Sequence, residues 1–300
     1  MVEVARQDFV MDDGRALRGL VADVDAEVVL VYCHGTPFPP VPFEHLATET
    51  ANRGLGLVCW ARPGYHGSTS QPHRRVASFI SDARRVLDEL DVTETIAFGW
   101  SGGGPHALSL GAGLHDRCRV VVTVGSVAPP DLDDLDWMAG MGSENVAEFD
   151  AALRGGEEFS AYLEAEATSF GSMSVEKLAL SMASLISDVD AAALSEVGMA
   201  EMLSSSIRVA TSTGINGWHD DDEAFLSPWG FELADVAVPV SLWQGGADRM
   251  VPPSHGRSLA ERLPDVRAHL LDEEGHLSLI TRCLDEMLDE ALKLGGEDRW

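Results

Sequence analysis

Apolar and polar positions along the chain fall into two regimes. From Val28 to Gly125, short unbroken apolar runs alternate with longer amphipathic stretches. The runs near 28–33, 56–60, 95–99 and 119–124 predict strands, and the stretches near 43–53, 74–90 and 103–113 predict helices. Strands that read as continuous apolar runs are covered on both faces, so the alternation predicts an α/β fold with a parallel sheet between helical layers. From Asp131 to about Phe231 the strand signal stops. Only helical periodicity remains, over Glu144–Leu153, Glu157–Ala167, Val175–Ile186 and Asp190–Ser204. Apolar runs return at Val238 and at Val266. The pattern predicts one sheet built from 1–130 and 232–300, interrupted by a helical cap over 131–231. It contains no internal repeat and no low-complexity linker.

Composition narrows the function class. Three hundred residues, 45% of them hydrophobic, are enough for a substantial core. No stretch approaches the roughly 18 apolar residues that span a bilayer. The N-terminus, Met1-Val-Glu-Val-Ala-Arg-Gln-Asp, lacks the basic and apolar regions of a signal peptide. Cys33, Cys59, Cys118 and Cys283 have no metal or redox spacing and are expected as buried, reduced thiols, which implies a cytoplasmic setting. A net charge of −28 argues against nucleic acid and anionic membranes as partners. A homo-oligomer is left open.

The chemistry starts at residues 97–106, Ala-Phe-Gly-Trp-Ser-Gly-Gly-Gly-Pro-His, which put Ser101 in a Gly-x-Ser-x-Gly frame. The preceding run is β-prone and the following one opens an apolar helix, so the serine lies on a sharp strand-to-helix turn that exposes its hydroxyl. Such a hydroxyl needs a base, and the base an orienting acid. Val238-Pro-Val-Ser-Leu-Trp-Gln-Gly-Gly-Ala-Asp248 is a strand followed by a turn bearing an acid, and Val266–His276 is a strand whose trailing loop ends in Gly275-His276. Ser101, Asp248 and His276 thus occur in nucleophile–acid–base order, each just past a strand. Asp131, Asp133 and Asp134, after the strand ending near Gly125, are alternative acids. Val28-Val-Leu-Val-Tyr-Cys-His34-Gly35-Thr36-Pro37 runs a strand into the turn where an oxyanion-binding amide is expected, with Gly102 N–H as its partner. Pro37 has no N–H, which leaves Gly35 or Thr36.

With these motifs and Arg62-Pro63-Gly64-Tyr65-His66-Gly67-Ser68, the chain resembles the α/β-hydrolase superfamily over nearly its full length, most of all capped esterases and proline iminopeptidase-like enzymes. The resemblance implies a mostly parallel eight-stranded sheet and favours Thr36 as the second oxyanion donor. A serine nucleophile argues against the dehalogenase and epoxide hydrolase branches, which carry aspartate there. His34 is expected to brace its loop, and Arg62-Pro63-Gly64 to form a structural turn near the site.

Three features of the insertion bear on substrate. Between 131 and 170 lie eleven acids and one base, Arg154, and solvated helix faces are favoured over an anionic receptor for an amine. The run His219-Asp-Asp-Asp-Glu223 is expected as a solvent-exposed loop with no metal. Methionines 138, 141, 173, 182, 199 and 202, with Trp137, Trp218 and Trp229, are candidates for an apolar pocket or for ordinary packing. Pocket candidates are Gly35, Pro37, Trp100, Trp137 and Met141. The resulting expectation is a cofactor-free serine hydrolase acting on a small or medium carboxylic ester through an acyl-enzyme. An iminopeptidase- or amidase-type hydrolase is one alternative, and a receptor-like protein with little or no turnover is another.

Overall fold

The apolar runs of the sequence become the centre of an eight-stranded sheet ordered β1-β2-β4-β3-β5-β6-β7-β8. This computed structural model describes residues 4–172, 182–195 and 199–296. The strands are β1 Ala5–Val10, β2 Ala16–Ala22, β3 Val29–Cys33, β4 Gly56–Trp60, β5 Thr95–Trp100, β6 Cys118–Val124, β7 Val240–Gly245 and β8 Val266–Leu271. From β4 to β8 every pairing is parallel, while β1 and β2 are antiparallel to their neighbours.

Alternation within each strand divides the core into two layers. Val29, Val31 and Cys33 of β3 face helices α2 (Ser78–Glu89) and α3 (Gly104–Gly113), whereas Leu30 and Tyr32 face α1 (Glu44–Asn52) and the C-terminal helices. Every residue of β3, β4, β5 and β7 is buried, as strands sandwiched between helical layers must be. All four cysteines are buried and free. The hairpin of β1 and β2 was not located by periodicity. Its outer strand exposes most of its residues, so only Phe9 carries a strong apolar signal. The turn residue Gly14 adopts φ +85°, the conformation for which Asp13-Gly14 is suited.

Between β6 and β7 the described residues form helices and loops and contribute no strand to the sheet: α4 Ser143–Arg154, α5 Gly156–Ser172, α6 Asp188–Leu194, α7 Met199–Thr211 and α8 Asn216–Phe225. Most of the helix expected over Val175–Ile186 lies outside the described residues, as does Met173. The helix expected over Asp190–Ser204 is replaced by α6 and α7. The acidic run expected as an exposed loop is instead α8, with Asp220, Asp221 and Asp222 all buried. Trp218, Asp221, Asp222 and Phe225 recur at the i, i+3, i+4, i+7 spacing of one helix face, and that face points inward. After β7 come α9 Pro253–Arg262, α10 His276–Arg282 and α11 Leu284–Gly295. No described helix is long and apolar enough to cross a membrane.

Strand register sets up the site. Cys33 pairs with Gly99, and Val124 with Trp243, so the loops after β3, β5, β6 and β7 leave the sheet at the same edge. Ligands in open α/β sheets bind at that carboxyl edge.

Candidate active site

Ser101 begins a single 3-10 turn between β5 and α3 and adopts φ +56°, a left-handed conformation that costs a non-glycine residue about 1–3 kcal/mol. The surroundings impose it: β5 is held by β3 and β6, and α3 packs directly behind. Close packing of the elbow requires glycine at 103, where a Cβ would stand 1.9 Å from the Cys33 carbonyl oxygen. The serine therefore sits on a wound turn in the wall of a cavity of about 140 Å³.

His276 lines the same cavity and opens α10. Its Nδ1 lies 2.7 Å from Asp248 Oδ2, so Nδ1–H donates to the carboxylate and Nε2 is left as the basic nitrogen. The other carboxylate oxygen, Oδ1, accepts the N–H groups of Met250 and Val251, each at 2.8 Å, which fixes the orientation of the acid. Both side chains are almost wholly buried. Gly125, at φ +54°, lies beneath the pair, and a Cβ there would come 2.8 Å from His276 Nδ1. Burial pushes the imidazolium pKa down. The charge and hydrogen bond of Asp248 outweigh this, Asp190 adds to them, and the pKa ends above its ordinary value. The alternative acids Asp131, Asp133 and Asp134 are exposed, and Asp134 pairs with Arg262. Asp248 is the acid that meets the histidine.

The loop after β3 lies against the elbow. A Cβ on Gly102 would stand 2.5 Å from Thr36 Oγ1, and one on Gly35 would stand 3.5 Å from Ser101 Cβ. His34 braces this turn as expected: one ring nitrogen bonds the Gly35 carbonyl at 2.9 Å, and the other accepts the Arg62 N–H at 3.2 Å. Burial first, then the nearby Arg62 charge, holds His34 well below the usual histidine range, so it is neutral.

A buried polar hub holds the loop from below. Asp221, from α8, is fully buried and receives the Arg62 guanidinium, Arg74 at 2.7 Å, the Tyr65 hydroxyl at 2.9 Å and the Thr36 hydroxyl at 2.6 Å. Arg62 also donates to the carbonyls of His34 and Gly35. Burial pushes the Asp221 pKa up, but the two guanidiniums reverse this and hold it well below the usual carboxylate range. A second buried acid, Asp190 on α6, accepts the N–H groups of His276, Leu277 and Ser278 at 2.8–3.0 Å and so caps the helix that carries the histidine. Sequence reasoning missed both roles. The inward spacing on α8 was the available signal for Asp221, and Asp190 had none beyond its place at a helix start.

Of the pocket candidates, Gly35, Pro37 and Trp100 line the cavity, and Trp100 packs 5.6 Å from the His276 ring. Trp137 and Met141 do not line it. They are buried in the core layer, where Trp137 Nε1 donates to the Ala128 carbonyl and its ring packs against Phe149 and His255. Met182 and Trp218 face the cavity, while Trp229 is core. The insertion's acids divide. Asp131, Asp133, Asp134, Asp136, Glu157, Glu158 and Glu164 are exposed as expected, but Glu144, Glu148 and Glu166 line the cavity together with Asp222. Among the described residues, one trio, His219, Asp220 and Glu223, offers metal-ligating atoms within 4.8 Å of one another, and none of the three lines the cavity.

A family model described as the alpha/beta hydrolase fold matches residues 28–282, and the chain belongs to that family. It is 27% identical over 256 residues to the pimeloyl-[acyl-carrier protein] methyl ester esterase of Aromatoleum aromaticum, covering 84% of this chain and 92% of that protein. Similar solved structures include a thermophilic esterase from Thermogutta terrifontis, with TM-score 0.70, 16% identity and 98% and 100% of the two chains covered. A bromoperoxidase from Bacillus anthracis superposes with TM-score 0.69 at 19% identity, over 97% of this chain and 99% of that one. At these identities the solved structures establish the fold.

The capping role of Asp190 is testable by urea denaturation. Asp190→Ala leaves three buried N–H donors without their acceptor and should lower stability by at least about 1–3 kcal/mol. Asp133→Ala, on the exposed surface, should stay within about 0.5 kcal/mol of the parent. Equal effects for the two variants would remove the cap from the account.

Proposed function

We propose that this α/β-hydrolase-fold protein is a serine hydrolase that cleaves a small or medium carboxylic ester through an acyl-enzyme. The observation that carries the reading is the 2.7 Å Asp248–His276 contact on the wall of the cavity that also holds Ser101. Ester-cleaving relatives such as the pimeloyl-[acyl-carrier protein] methyl ester esterase support the substrate class.

In this reading His276 Nε2 takes the hydroxyl proton as Ser101 Oγ bonds to the ester carbonyl carbon. The tetrahedral oxyanion is met by the backbone N–H groups of Gly102 and Thr36. Collapse breaks the bond to the alcohol, which leaves with the proton from His276. Water then enters by the same route, with His276 again as base, and releases the acid and the serine. Asp248 keeps the imidazole in the tautomer with Nδ1–H and balances the imidazolium charge. The helical insertion over 131–231 is the cap that closes the cavity over the sheet edge.

Ser101→Ala should abolish turnover of p-nitrophenyl esters, because losing a triad nucleophile costs on the order of 10⁴ to 10⁶ in kcat. A circular dichroism spectrum and melting curve like those of the parent would show that the fold survives. Retention of even a tenth of the parental rate would end the covalent mechanism.

The pH profile has a defined sign. His276 is a base only when neutral, and its pKa is raised. The rate should therefore be low in acid and rise with pH through an inflection above about 6.5, the ordinary histidine value. Asp248→Asn should cut kcat by about 10⁴ through loss of the working tautomer and shift the residual inflection downward. A profile flat across this range, or an Asp248→Asn variant at full rate with Asp131→Asn impaired, would contradict the assignment.

A further inference from the structure

The cavity that holds Ser101 is acidic in a way that ester cleavage alone does not require. Glu144, Glu148, Glu166 and Asp222 line it, and no arginine or lysine does so among its described residues. Asp222 is fully buried; the Glu148 carboxyl is its side-chain partner, and neither of its carboxyl oxygens receives a hydrogen bond from a described N–H or hydroxyl. Glu148 takes one, from the indole N–H of Trp218 at 2.7 Å. The nearby guanidiniums of Arg62 and Arg74 are engaged by Asp221. Glu144 is bonded by the Ser143 and Ser184 hydroxyls.

Two adjacent carboxyl groups in a mostly apolar cavity, with no arginine or lysine among its described lining residues, favour a positive charge beside them. Burial, with each carboxyl close to the other, pushes Glu148 up to about 7 and Asp222 well above its usual range, so the pair readily holds a proton. The rest of the wall decides which cation fits. Tyr162, Phe170 and Trp218 present aromatic surface there. Among the described residues no three of the four acids bring ligand atoms within chelating distance of one another. A hydrated divalent ion needs several oxygen ligands, whereas an organic ammonium needs a carboxylate or two and is attracted by aromatic faces.

We propose that Glu148 and Asp222 form a subsite for the ammonium group of the substrate, so that the natural substrate is an ester or amide bearing a protonated amine. The proposal rests on Ser101 as the reacting end of the cavity, the reading given above. The scissile carbonyl lies at Ser101, and the amine extends beneath the insertion, where it displaces the proton shared by the two carboxyls. Recognition by charge selects the substrate, while apolar contact alone would accept any acyl chain of suitable size.

Binding tests the subsite without any turnover. Ser101→Ala protein is titrated calorimetrically with n-butylamine and with n-butanol at about pH 8, where an alkylamine is still charged. The ammonium should bind roughly tenfold or more tightly than the alcohol, as a charge-assisted hydrogen bond implies. That preference should vanish when Glu148→Gln or Asp222→Asn is added to Ser101→Ala, with folding of each checked by its melting curve. Equal affinities, an ammonium that does not bind, or a preference that survives both substitutions would overturn the proposal. Hydrolysis of neutral p-nitrophenyl esters by the parent protein is scored separately, so a failed subsite and a failed nucleophile give different results.

Discussion

Asp221 and Arg62 form an ion pair with no access to water, and the geometry of the reacting edge depends on it. The carboxylate comes from α8 in the insertion, and the guanidinium from the loop after β4. Together they grip the loop after β3 through the Thr36 hydroxyl and two backbone carbonyls. Burying two charges is costly and is offset only when every remaining donor and acceptor is used. Here Arg74, Tyr65 and Thr36 supply the extra partners to Asp221. Removing one member of such a pair typically costs 3–5 kcal/mol, because the other is left charged and dry. The loop that presents the Thr36 N–H is therefore held by a stiff network.

Asp190 does the same for His276. Its carboxylate caps α10 at the residue where His276 begins the helix, while Asp248 holds the ring from the other side. Two loops of the sheet edge are thus fixed by acids that belong to the insertion. The segment between β6 and β7 both lines the cavity and bonds to His276 and Thr36. Asp222 and Glu148 face the same cavity from α8 and α4.

Residues whose signal is local were legible from the sequence. The four central strands are continuous apolar runs, and Ser101, Asp248 and His276 each follow a strand in an order the fold constrains. The hairpin of β1 and β2 was hidden because its edge strand exposes most of its residues and resembles a polar loop. The acids of α8 were misread for a different reason. Three consecutive aspartates suggest solvent, and only Arg62 and Arg74, far away in sequence, make an inward Asp221 affordable. Trp137 and Met141 show the converse: apolar residues of the insertion can serve the core as readily as the cavity, and periodicity does not distinguish these destinations. Glu144 and Glu148 lie four apart on one face of α4, but which face meets the cavity depends on how α4 packs against α5 and α8.

The central claim is that the elbow hydroxyl is activated for covalent chemistry, and covalent trapping tests it most directly. The parent protein is treated with a fluorophosphonate, and the adduct is located by mass spectrometry of peptides. The account predicts one adduct per chain, on the peptide carrying Ser101, formed more slowly at acidic pH as His276 becomes protonated. It also predicts no adduct in the Ser101→Ala variant. Labelling at any other residue, or a folded parent protein that does not react, would contradict it.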